Sequence, residues 1–178
     1  MQYFVLALFA CLCLCTLGCD GNTKARRAAK GESFVPDPNY LFFKNTRQAD
    51  YRVLDGGDRG NHFTHDDLYD SDATLLPVIY DNWLEDQAFL ELHTRTQQGP
   101  AGPSGKVELL ITSPKGTNAV SLPARLSYDN AEQLKHHLTT NREINWVTGG
   151  DTLVAFPGLA RDYATITIND YLRLVQRK

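Results

Sequence analysis

Leu75-Leu76-Pro77-Val78-Ile79-Tyr80-Asp81-Asn82-Trp83-Leu84 is the stretch on which the fold turns, because its apolar residues fit two periods at once. Leu75, Leu76, Ile79, Tyr80, Trp83 and Leu84 fall at spacings of 1, 4, 5, 8 and 9 from the first, which places them on one helical stripe. Pro77 then sits in the first turn, where its missing N–H does little harm. The spacing therefore predicts a helix over 75–84. The competing reading is a strand over 78–84 that turns at Glu85-Asp86-Gln87.

Working outward, 88–95 (AFLELHTR) and 106–112 (KVELLIT) have the alternation and β-branched content of strands. Between them, Gly99-Pro-Ala-Gly-Pro-Ser-Gly105 holds two collagen-like triplets, too few for a triple helix, and reads as an exposed hairpin loop. Upstream, the runs 40–47 and 51–55 end at Gly56-Gly57 and predict two strands in a hairpin. The polar, acidic segment 58–74 predicts a surface loop. Downstream, Lys115-Gly-Thr-Asn118 is a turn into a short strand at 119–122. Asp129 with Glu132 looks like a capping box, and Ala131, Leu134 and Leu138 give a short helix ending near Asn141. Gly149-Gly150-Asp151 between 144–148 and 152–156 is a hairpin signal. Residues 163–167 read as a strand, and Ile168, Tyr171, Leu172 and Val175 as a closing helix, with a terminal strand as the alternative. The sum is a single-domain α+β fold, a mostly antiparallel sheet with two or three helices packed on one face.

Composition divides the 178-residue chain unevenly. Residues 1–18 carry no charged side chain, and all four cysteines (Cys11, Cys13, Cys15, Cys19) lie at or before position 19. A disulfide framework and thiol catalysis are therefore excluded from the remainder. The apolar run 3–18 reaches only about 24 Å as a helix, short of a hydrocarbon core of about 30 Å, so a secretory signal fits better than a spanning helix. Residues 20–33 (DGNTKARRAAKGES) have four basic and two acidic residues and read as a flexible basic tether. Residues 34–178 form the globular domain, with 14 basic and 19 acidic residues and a net charge of −5. That balance disfavours phosphate backbones, and no nucleic-acid partner is expected.

The apolar run ends in Thr16-Leu17-Gly18-Cys19, and there the chain resembles the bacterial lipoprotein signal read by lipoprotein signal peptidase. The resemblance covers about the first 20 residues. It implies removal of 1–18, a lipid on Cys19, and a domain held on the periplasmic or surface side of a cell-envelope membrane. Two or three acyl chains, at about 0.8 kcal/mol per buried CH₂, anchor such a domain stably. Because Lys24, Arg26, Arg27 and Lys30 follow the apolar run and none precedes it, an uncleaved anchor with a cytoplasmic domain is the alternative.

The domain contains no GxGxxG after a strand, GxxxxGK[ST], GxSxG, HExxH or EF-hand loop, so no catalytic residue is assigned and no cofactor is expected. Its richest cluster is 55–72, where His62, His65, Asp66 and Asp67 are candidate ligands for a divalent metal. The spacing matches no established site, and Asp, Asn and Gly are also what turns and helix caps require. His136-His137, adjacent on a helix, diverge by about 100° and read as surface groups. His93 reads as a partnered strand residue, and Trp83 and Trp146 as core anchors. The preferred class is a non-enzymatic binding or structural module of the envelope, contacting the bilayer through its lipid and a protein partner through a sheet edge, loops or the acidic segment. The alternatives are a metal-dependent envelope hydrolase built on His62, His65 and the neighbouring aspartates, and an immunity-type toxin inhibitor.

Overall fold

In a computed structural model, which describes residues 42–54, 60–82, 85, 87–96, 99–102, 105–140 and 142–175, the decisive stretch is extended. Leu75–Asn82 is a strand, β3, and not a helix. Leu75, Leu76, Val78 and Ile79 are all fully buried, so both faces of the strand are covered. Full coverage removes the polar alternation that identifies a half-solvated strand, and the residual pattern mimics a helical stripe. Pro77 is tolerated by its place in the ladder. Opposite it, Leu92 directs its N–H away from β3 to the Ala124 carbonyl, and pairing with the strand on the other side stops at Phe63–Ile79. A missing N–H therefore breaks no sheet bond there.

Around β3 runs one antiparallel sheet in the order β1-β2-β3-β4-β5, built from β1 (Tyr51–Leu54), β2 (Asn61–His65), β3, β4 (Gln87–Thr96) and β5 (Gly99–Ala101). A short strand β8 (Arg125–Leu126) also pairs with β4. The second sheet has the order β10-β9-β6-β7, with β6 (Lys106–Ser113), β7 (Gly116–Pro123), β9 (Glu143–Thr148) and β10 (Asp151–Val154). Among the described residues the α-helices are α1 (Asp66–Tyr69), α2 (Tyr128–Thr139) and α3 (Ala160–Leu174). The α+β reading holds, with the strands divided between two sheets. Buried residues of both sheets and all three helices form one core.

Several elements differ from the sequence expectation. The expected strand 40–47 is helical where described, as a π turn Phe43–Arg47 followed by a 3₁₀ turn Gln48–Asp50. Only Phe43 is buried there, edge-on to Tyr51 and Phe63 at centroid distances of 5.4 and 5.8 Å. The partner of β1 is instead β2, which lies inside the expected loop 58–74. Polar His62 and Thr64 alternate with Phe63 and His65 along β2, so polarity concealed the strand. The expected strand 163–167 is absorbed into α3. Its Ala160, Ala164, Thr167, Ile168 and Tyr171 make a buried stripe at helical spacing. The β-branched Thr165 and Thr167 are poor helix formers, and each donates its hydroxyl to the carbonyl four residues back, Arg161 and Tyr163.

Smaller adjustments follow the same logic. The cap of α2 is Ser127, whose hydroxyl accepts from the Asn130 N–H, and Asp129 lies in the first turn, where the helix dipole favours it. The hairpin β9–β10 turns at Gly149 and Gly150, both at positive φ (56° and 93°), as the Gly-Gly pair predicts. Trp146 packs partly buried against the core. The segments 1–18 and 19–33, and Trp83, fall outside the described residues. Among the described residues no helix is long and apolar enough to cross a membrane.

Candidate functional site

Side chains alternate along a strand, so register decides which histidines can meet. His62 and His65 are three apart on β2 and point to opposite faces of the sheet. His62 lies opposite Tyr80, Tyr80 opposite Phe89, and Val78 opposite Glu91, which places His62, Tyr80, Val78, Phe89, Glu91 and His93 on one face. Arg125 of β8, opposite Glu91, joins them. His62 and Glu91 are two strands apart, roughly 10 Å between backbones, and their side chains meet over β3.

The centre of this face is Glu91, whose side chain is only 2% exposed. One oxygen, Oε1, accepts from Arg125 Nε and Nη2 at 2.9 and 2.6 Å. The other, Oε2, lies 3.1 Å from His93 Nε2 and 3.4 Å from His62 Nε2. Burial pushes the carboxyl up, but hydrogen bonds with His62, His93 and Arg125, together with the Arg125 charge, outweigh it and hold Glu91 well below the usual carboxylate range. The surroundings fix each ring and fork in place. His62 stacks on Tyr80 at 4.5 Å, and the Arg125 guanidinium lies over Phe89 at 4.5 Å and nearer solvent. Gly60, next to β2, permits this packing, since a Cβ there would press on the Asp81 carbonyl and stand 2.7 Å from Tyr80 Cε2.

Of the four residues singled out in the sequence, only His62 belongs to this cluster. His65, buried on the opposite face, stacks on Tyr163 of α3 at 4.9 Å and meets Tyr51 edge-on at 5.4 Å. Asp66 bonds to Arg52 at 3.1 Å, and Arg52 also holds Asp70 through two bonds of 3.2 Å. Asp67 is exposed, with its carboxylate 3.8 Å from His65 Nδ1. The set His62, His65, Asp66, Asp67 therefore does not converge, because strand alternation separates the imidazoles and Arg52 engages Asp66.

His93 has its expected partner. Glu91 and Arg125 were not anticipated, although a signal existed: Glu91-Leu92-His93 has the two-residue spacing that puts a carboxylate and an imidazole on one face, beside core residues Leu90 and Leu92. His136 and His137 diverge on α2, and His137 Nδ1 lies 3.2 Å from Arg142.

The opposite face holds a second buried carboxylate, Asp170 of α3. Its Oδ2 accepts from Tyr51 Oη at 2.8 Å and Arg47 Nε at 3.0 Å. Burial and the Asp170 charge push the Tyr51 phenol well above its ordinary value. Every partner of Asp170 in this network is a donor.

No protein-family model, curated protein or solved structure matches this chain.

Proposed function

We propose that this chain is a lipoprotein of the bacterial cell envelope, lipidated at Cys19 and tethered by 20–33, whose folded domain is a binding module that docks a protein partner by strand addition at β10. The anchoring half is supported by the uncharged run ending in Gly18-Cys19 and the polar segment after it.

The observation that carries the docking half is the character of β10. Among the described residues β10 pairs only with β9, and all four of its residues are exposed. Leu153 and Val154 are 40% and 44% exposed although consecutive strand residues point to opposite faces, so the strand is open on both sides as well as along its edge. Leu159, 69% exposed, follows closely in the chain. Edge strands are ordinarily blunted by charged side chains, proline, a bulge or shortness; the four-residue Asp151-Thr-Leu-Val154 has no lysine, proline or bulge, and its one charge, Asp151, stands at its start. Apart from the Val154 carbonyl, which accepts from Thr74, its outer edge suits an extended peptide that supplies backbone hydrogen bonds.

Two measurements test the two halves. Cys19→Ala should abolish incorporation of labelled fatty acid in a bacterial host and leave an unprocessed precursor, whereas unchanged labelling contradicts the anchor. A photo-crosslinking residue at Thr152 should capture one envelope protein, and the capture should vanish with Leu153→Lys plus Val154→Lys. Capture that survives those changes contradicts docking at β10.

A further inference from the structure

His62, Glu91 and His93 each offer one ligand atom, and the three atoms lie within 4.8 Å of one another, on side chains of β2 and β4 that meet over β3. We propose that these three residues bind one divalent transition cation with a preference for nitrogen and oxygen ligands, zinc above all, and that Arg125 competes with it for Glu91. This goes beyond the docking role of β10 and stands independently of it.

Distance is the first support. Zinc bonds of about 2.0–2.1 Å in a tetrahedron place neighbouring ligand atoms about 3.3 Å apart. The two nitrogen-to-oxygen edges here are 3.4 and 3.1 Å, so an ion can take the place of the shared protons with small adjustments of the side chains. Donor identity is the second: two imidazoles and one carboxylate suit zinc and its neighbours, and not calcium or magnesium. Pre-organisation is the third. Glu91 Oε2 already faces both imidazoles, and the Tyr80 stack orients His62.

Access comes from one side. The His62 side chain is 21% exposed and that of Arg125 52%, against 7% for His93, so a fourth position opens toward solvent past His62. Arg125 can swing into water, which relieves the repulsion between its charge and an incoming cation.

The test uses the untagged full-length chain in detergent, stripped with a chelator. Zinc titrated against a chromophoric competitor should bind at one equivalent per chain, and cobalt should give the intense visible bands of a tetrahedral site. His62→Ala and His93→Ala should each weaken zinc by at least about tenfold. Arg125→Gln should tighten it, an effect opposite to that of a purely structural Arg–Glu pair, which would bind no metal in either form. Substoichiometric binding, an octahedral cobalt spectrum, or unchanged affinity in both histidine variants overturns the proposal. So do thiolate charge-transfer bands, which would assign the ion to Cys11, Cys13, Cys15 or Cys19. If a histidine variant fails to fold, the wild-type cobalt spectrum and Arg125→Gln still decide.

Discussion

The two faces of the sheet around β3 both bury a carboxylate beside an arginine, yet the two are built differently. Asp170 is held by a phenol and a guanidinium, each of which donates to it. Glu91 is held by a guanidinium and by two imidazoles, and the imidazoles can exchange a proton for a metal. The first face is closed by α3 and its hydrogen bonds. The second, with His62 and Arg125 reaching solvent, keeps groups whose roles can change. A buried charge is therefore weak evidence of a site by itself, and the chemistry of its partners carries more information.

Substitution at the closed face should give the largest effect. Asp170→Ala leaves the Tyr51 hydroxyl buried without its acceptor and Arg47 without its inner partner, and should cost about 3 kcal/mol in a denaturant titration. A loss below about 1 kcal/mol would show that this network is not structural, and the contrast between the faces would collapse.

The pH limbs sharpen the same contrast in the metal-free protein. Glu91 is held below its unfolded value, so its contribution is present above about pH 4.5 and is lost as the pH falls further. Stability should fall by on the order of 2 kcal/mol through that acid range, and Glu91→Gln should flatten the fall. Tyr51 is held above its unfolded value, so its contribution is complete below about pH 10 and is lost as the pH rises beyond it. Tyr51→Phe should remove that alkaline limb and leave the acid limb intact. Exchange of the two assignments would contradict the geometry.

How much of this was legible in the sequence depended on whether one face of an element meets water. The β9–β10 hairpin, β6 and α2 were read correctly, since Gly149-Gly150, alternation and the Ala131–Leu134–Leu138 stripe are local signals. β3 was not, because Leu75 to Ile79 is covered on both sides and coverage comes from residues distant in sequence. β2 was hidden for the opposite reason: its buried positions include the polar Thr64 and His65, and the half-buried His62 finds its partners on other strands. The site follows the same pattern. His62 and His65 looked like a pair along the chain, while strand alternation sends one to Tyr80 and Glu91 and the other to Tyr163. Register, which places His62 across β3 from Glu91, is a property of pairing and not of spacing.

The difference between the faces can be measured directly as zinc-dependent thermal stabilisation of the full-length chain in detergent. At a free zinc concentration about a hundred times its dissociation constant, binding adds about 2.7 kcal/mol, which should raise Tm by roughly 5–10 °C. The rise should persist in Asp170→Ala, from a lower starting point, and should be lost in His62→Ala. No rise in the wild-type chain, or an equal rise in His62→Ala, would contradict the account.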